Sequence, residues 1–264
     1  MRSPRSLTIL VVACTVVLAT VTSRAESVFE FAYPTQFGRV PAATYDDEGN
    51  HIGAADLLIE KQDDGGVRIF TLSGRDEGAR TVASALFAPF ARERSMRLVR
   101  QESRSFDGDG RELGLLELDH VAGIGSCTGP NGEAPVTLSL PTEDRVVNVP
   151  MNLLFLPLVR GEISSLQFQL FLCREGARLM DFEAWVAKDA DAAAAAHLIE
   201  VGYRPDFGSV VSLVARNFVP KLTFWFDRSK PHDWMGHRMP LYSGGPEVLV
   251  LRDGVPSHRL ADGD

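Results

Sequence analysis

Short runs in which apolar and polar side chains alternate, separated by glycine-containing turns, recur along most of this chain. Residues 57–61 lead into Asp63-Asp64-Gly65-Gly66 and then into 67–72, and two β-prone runs about a tight turn are the signature of a hairpin. The arrangement returns at 96–106, which turns through Asp107-Gly108-Asp109-Gly110 into 112–120, and at 166–173, which turns through 174–177 into 178–187. Further strands are expected at 197–203, 221–227, 238–243 and 247–252. Helical patterning is scarce. Residues 79–94 are one candidate, interrupted by Pro89, and the apolar 152–159 reads as a short helix or a buried strand. Regular strands with turn signals between them predict a mainly β fold: an antiparallel open barrel or half-barrel (or a sandwich) with one or two short helices.

The faces of these strands say more than their number. In 166–172, Leu166, Phe168 and Leu170 share one face against Gln167 and Gln169 before the pattern turns apolar on both sides. Leu222, Phe224 and Phe226 share a face while Trp225 points the other way, and 248–251 is apolar throughout. A sheet with one face in water should alternate along its whole length. Strands that do not alternate need a second cover, either another protein layer or a bound apolar molecule.

The first 25 residues have another character. Arg2 and Arg5 precede an uncharged, mostly apolar run from Leu7 to Val21, and Ser23-Arg24-Ala25 puts small residues where a signal peptidase reads them. This predicts a secretory signal cleaved after Ala25, leaving 26–264 as one β-rich periplasmic or secreted domain. The run is shorter than the ~20 residues of a permanent membrane helix, so a transmembrane protein is not expected. Val11-Val12-Ala13-Cys14 offers an alternative, a lipoprotein anchored at Cys14.

Charge and cysteine use fit export. The chain carries 27 Lys and Arg against 35 Asp and Glu, a net charge of −8, and loss of the leader's arginines makes the remainder more acidic. That balance argues against nucleic acid and anionic membrane surfaces as partners. Beyond the leader only Cys127 and Cys173 remain, and in an oxidising compartment they are expected to form one disulfide. A catalytic thiol at Cys127, with His120, is the functional alternative.

Chemical motifs mostly fail on context. Asp107-Gly108-Asp109-Gly110 resembles part of a calcium loop, but in the EF-hand register Ser105 stands first and Leu116 last, where carboxylates are required. His232 and His237 are five apart, a spacing that aims them apart on a strand or helix, and no third ligand lies nearby. Gly123-Ile124-Gly125-Ser126-Cys127-Thr128-Gly129 opens no helix that could cradle a phosphate. No nucleophile elbow, zinc-protease motif or P-loop is present. No catalytic residue, metal or cofactor is expected.

The C-terminal half carries a resemblance. Its parts are the leucine-rich 153–161 with Pro157, the hairpin 166–186 turning at Gly176, and Leu222-Thr223-Phe224-Trp225-Phe226-Asp227-Arg228 followed by Pro231. Pro240-Leu241-Tyr242 and a last strand over 247–251 complete it. This order over 145–252 resembles an exported bacterial family classed only as domain of unknown function 3108, itself loosely similar to periplasmic lipoprotein carriers with an open β-barrel around a helix. The resemblance, together with the strands apolar on both faces, implies a non-enzymatic periplasmic protein. It would hold a lipid or other apolar ligand on a concave face near Phe168, Leu170, Phe224, Trp225 and Phe226. The alternatives are an envelope structural or assembly protein that binds a protein partner, and a hydrolase without a recognisable motif.

Overall fold

The structure is a computed structural model that describes residues 30–256, apart from 77, 91–94, 142–144, 174–175, 188–196, 207–221 and 243. The leader, Ala25 and Cys14 lie outside the described residues. After the short β1 (Phe31–Ala32), an antiparallel meander runs through β2 (Gly38–Tyr45), β3 (His51–Lys61), β4 (Val67–Gly74), β5 (Arg80–Pro89), β6 (Ser95–Phe106), β7 (Glu112–Asp119), β8 (Ile124–Thr128) and β9 (Val136–Ser139). Two helical turns follow, α1 (Met151–Leu154) and α2 (Leu156–Val159). The chain then starts again at the opposite end of the sheet with β10 (Ser165–Leu172), β11 (Arg178–Val186), β12 (Leu198–Pro205), β13 (Leu222–Asp227), β14 (Trp234–Pro240) and β15 (Glu247–Arg252). β15 pairs with β2, so the first long strand and the last are neighbours in mid-sheet, while β9 and β10 form its ends. The fold is a mainly antiparallel open barrel, as the strand pattern predicts.

Local chemistry makes the turns. Gly65 takes φ 83°, a conformation that glycine adopts without steric cost, and the Asp64 carboxylate accepts the Gly66 amide. Asp107 likewise accepts the Arg111 amide, so the acidic stretch shapes the β6–β7 hairpin. One expectation fails here. Residues 80–89 form β5 and not a helix, with Ala83, Ala85 and Phe87 buried on one face at a period of two and Pro89 closing the strand. Alanine-rich composition suggested a helix; pairing with β4 and β6 on both sides decided for a strand. β14 also begins at Trp234, four residues before the expected 238.

The sheet's two ends overlap at a seam instead of joining edge to edge. Phe168 of β10 faces the interior, whereas Phe171, on the opposite face, packs against Leu118 of β7, Cys127 of β8 and Val146. Gly125 makes this overlap possible, because a Cβ there would stand 2.5 Å from the Phe171 ring. The free edge of β10 is capped by the segment before α1. Val147 donates to Gln169 O at 3.0 Å, and Gln169 donates to Arg145 O at 2.8 Å. The Asn148 side-chain amide then accepts the Phe171 N–H at 3.0 Å and donates to its carbonyl at 2.8 Å, as a neighbouring strand would.

This strap is tied in turn to β6 by Gln101, which is 1% exposed. Its Oε1 accepts the amides of Asn148 (2.6 Å) and Val149 (2.8 Å), which fixes the orientation of the group. Its Nε2 donates to Val146 O at 3.2 Å and lies 2.7 Å from His120 Nε2. Outside the strap, the Cys127–Cys173 disulfide joins β8 to the end of β10 across the same seam.

The interior is filled largely by α1 and α2. Met151, Leu153, Leu154, Phe155, Leu158 and Val159 are buried, and they join Val67, Ile69, Phe87 and Met96 on one side to Phe168, Phe182, Tyr203, Phe224 and Phe226 on the other in a single cluster. Burial of such side chains, at about 1.5–3 kcal/mol each, is the main force holding the two halves together.

Two perturbations test the seam. Gln101→Leu strands the Asn148 and Val149 amides and the Val146 carbonyl, and is expected to cost about 2–4 kcal/mol in urea unfolding of the oxidised protein. Joint Cys127→Ser and Cys173→Ser removes a link across a sequence separation of 46 and is expected to cost roughly 2–4 kcal/mol. Because the disulfide acts mainly on the unfolded chain and Gln101 on the folded one, the two losses are expected to add to within about 0.5 kcal/mol. A combined loss well short of the sum would contradict this division.

Candidate functional site

The inner face has one region whose chemistry differs from the rest, where β13, β14, β15 and β2 curve together. Phe224, His237, Val250 and Thr44 stand opposite one another across these four strands, and Phe226 is opposite Trp234. On a regular strand, residues three apart point to opposite faces. The bulge where β13 shifts register between Trp225 and Phe226 changes that count, so Trp234 and His237 both turn inward. The His237 ring stacks on Phe224 at 4.9 Å, and the Trp234 and His237 rings are 5.6 Å apart. Trp234 touches both the main core and a smaller one built from Ala42, Ala55, Ala79, Leu241, Val248 and Val250.

Hydrogen bonding here is incomplete. Thr44 is fully buried and its hydroxyl donates to Ala54 O. Trp234 Nε1 and His237 Nδ1 are sealed from solvent and have no hydrogen-bond partner among the described residues. An unmet buried donor or acceptor costs about 1–3 kcal/mol, so two side by side need an explanation. Burial pushes the His237 pKa down to about 4, which keeps the ring neutral near pH 7. Both residues are nevertheless only half-buried as a whole, and so are Ile199, in register with Phe226 and Trp234, and Met239, two residues beyond His237 on β14.

The side chains expected to line a concave face divide into two sets. Phe168, Phe224 and Phe226 are 1%, 4% and 1% exposed. Phe155 of the plug sits against them, with ring centroids 5.9 Å from Phe168 and 5.3 Å from Phe224. Leu170 faces the same interior and is half-buried. Trp225 lies on the outer face, buried with Leu249 and Leu251 and covered in part by Val255, and its Nε1 donates to Glu200 at 3.3 Å. It therefore does not share a surface with the other four.

The remaining candidates are settled individually. Cys127 and Cys173 are bonded to each other, which removes the alternative of a free Cys127 thiol. His232 lies in the turn after Pro231 with φ 68° and its Nδ1 3.1 Å from Asp227 O, away from His237. No three of His, Cys, Asp and Glu gather in a metal-binding arrangement among the described residues. A cleft of about 160 Å³ beside β10 and β11 is bounded by Arg145, Gln167, Gln169, Asp181 and Asp206, and is more polar than apolar.

These features define an open antiparallel barrel with an internal helical plug. Among solved structures the chain is similar to a beta-barrel-like protein of domain of unknown function DUF1849 from Brucella abortus, with 14% identity over 82% of this chain and 97% of that one and a TM-score of 0.34. No family model matches the chain, family 3108 included, and no curated protein matches it.

The buried imidazole gives a test by pH. The unfolded chain protonates His237 near 6.5 and the folded one near 4, so between those values the unfolded state holds one more proton. Stability from this group therefore falls as pH drops from 6.5 towards 4. With His237→Phe that loss is expected to disappear, so the variant gains on the wild type through this window in denaturant titrations. A difference independent of pH would contradict it.

Proposed function

We propose that the protein is a non-enzymatic periplasmic barrel that holds a lipid or other apolar molecule on its inner face, at the end where Trp234 and His237 lie. The observation that carries this reading is the set of inward-facing apolar side chains left half-buried along β11 to β14, Val186, Ile199, Leu222, Met239 and Trp234, in a barrel whose middle is otherwise filled. Apolar surface of this kind, within a concave face and beside a few polar atoms, is the common make-up of a small-molecule site. Leu170 is half-buried on the same inner face, whereas Phe168, Phe224 and Phe226 are enclosed in the core. The resemblance of 145–252 to the exported family 3108 and the expected leader support a periplasmic setting, with which the disulfide is consistent.

A second reading, an envelope assembly protein, is favoured by the terminal strand β9, where Val136 is 51% exposed. An open strand edge is a template for pairing with another chain.

Titration of the delipidated protein with a fluorescent fatty acid tests the leading reading. Saturable binding near one molecule per chain, with quenching of tryptophan emission that Trp234→Phe weakens, is the expected result. Binding that never saturates, or none, would overturn it.

A further inference from the structure

The two orphaned nitrogens suggest what the bound molecule carries. This inference rests on the proposed role as an apolar-ligand carrier and adds the chemistry of one end of the ligand. Trp234 Nε1–H can only donate, so its missing partner is an acceptor. His237 Nδ1 donates or accepts according to tautomer, and its ring is held against Phe224 on one side and near Trp234 on another. Everything else described around the pair is apolar or already satisfied: Phe226, Val250 and Met239 offer no polar side-chain atom, and the Thr44 hydroxyl is engaged with Ala54 O.

Charge narrows the choice. An ionised carboxylate moved into this lining would lose its hydration and gain no cation, a cost far above that of an uncharged oxygen. Arg252, two residues from Val250 on β15, is engaged by Asp233 at 3.0 Å, and Arg238, next to His237 on β14, is paired with Glu247 at 4.0 Å. His237 itself is neutral at pH 7. The half-exposure of both rings also matters. Each keeps accessible surface inside a densely packed wall, so rotation of a neighbouring side chain, Met239 being the most adaptable, is enough to open its nitrogen to a ligand.

We infer that Trp234 and His237 form the polar end of the site and take an uncharged carbonyl, the ester or protonated acid end of an acyl chain, whose oxygen accepts from Trp234 Nε1–H. The chain then lies along Ile199, Val186 and Leu222. The remainder of the ligand, whether a glyceride, a lipopeptide or a free acid, is outside this contact.

The test uses the oxidised protein without its leader and three probes of equal chain length bearing the same fluorophore: an alkane, its methyl ester and its free acid. Wild type is expected to bind the ester roughly tenfold more tightly than the alkane, the worth of one well-made buried hydrogen bond. At pH 8 the ionised acid is expected to bind more weakly than the ester. Trp234→Phe and His237→Phe should each bring the ester-to-alkane ratio towards one. Removal of an orphaned group should also leave either variant at least as resistant to urea as wild type, which separates loss of recognition from loss of fold. Saturable binding with equal affinity for alkane and ester would overturn the inference and leave the carrier role standing, as would an ester preference that survives both substitutions. Equal binding of ester and ionised acid would overturn the uncharged head. Binding of no probe would overturn the carrier role and this inference with it.

Discussion

A sheet this long must be held where its ends overlap, and here the buried amide of Gln101 ties the strap that does so to β6. Gln101 of β6 grips the strap through Asn148, Val149 and Val146, and Asn148 grips β10 through both backbone groups of Phe171. Two side-chain amides thus replace the ladder that edge-to-edge pairing would have supplied. The arrangement satisfies polar groups that the overlap would otherwise bury without partners, and it lets Phe171 occupy the space that Gly125 leaves. The disulfide stands beside the amides and acts differently: it limits the unfolded chain, whereas the amides act on the folded one.

Closure at the seam explains the interior. The strap leads directly into α1, so the segment that caps β10 also delivers Phe155 to the centre of the barrel. Position of the strap and filling of the core are one event. Around Phe155, Phe168 and Tyr203 the core is built of aromatic rings, whereas towards β14 Trp234 packs against a smaller cluster that includes Ala42 and Ala55. The only adjacent pair of orphaned side-chain nitrogens among the described residues lies beside this smaller cluster.

Much of the fold was legible from alternation and turn chemistry. The hairpins at Gly65, Gly110 and Gly176, and the last strand at 247–252, follow from short-range rules that the rest of the molecule does not override. β5 was not legible, because alanine serves helix and strand alike and only the neighbours on both sides choose. The strap was not legible either, since Gln101 and Asn148 are ordinary polar residues until 47 positions of chain bring them together. At the candidate site, the shared face of Phe224 and Phe226 could be counted off the sequence. That of Trp234 and His237 could not, since a bulge that leaves no mark in composition changed the parity. The spacing of His232 and His237 said nothing of the contact between His237 and Phe224, which the pairing of β13 with β14 creates.

Hydrogen exchange at the strap tests the closure most directly. If Gln101 and Asn148 hold the barrel shut, the amides of Asn148, Val149 and Phe171 in the oxidised protein exchange as slowly as those of β3 and β4. Gln101→Leu then releases these three before any amide of the β3–β4 hairpin. Strap amides that exchange as fast as exposed loops in the wild type, or protection lost evenly across the sheet in the variant, would contradict the account.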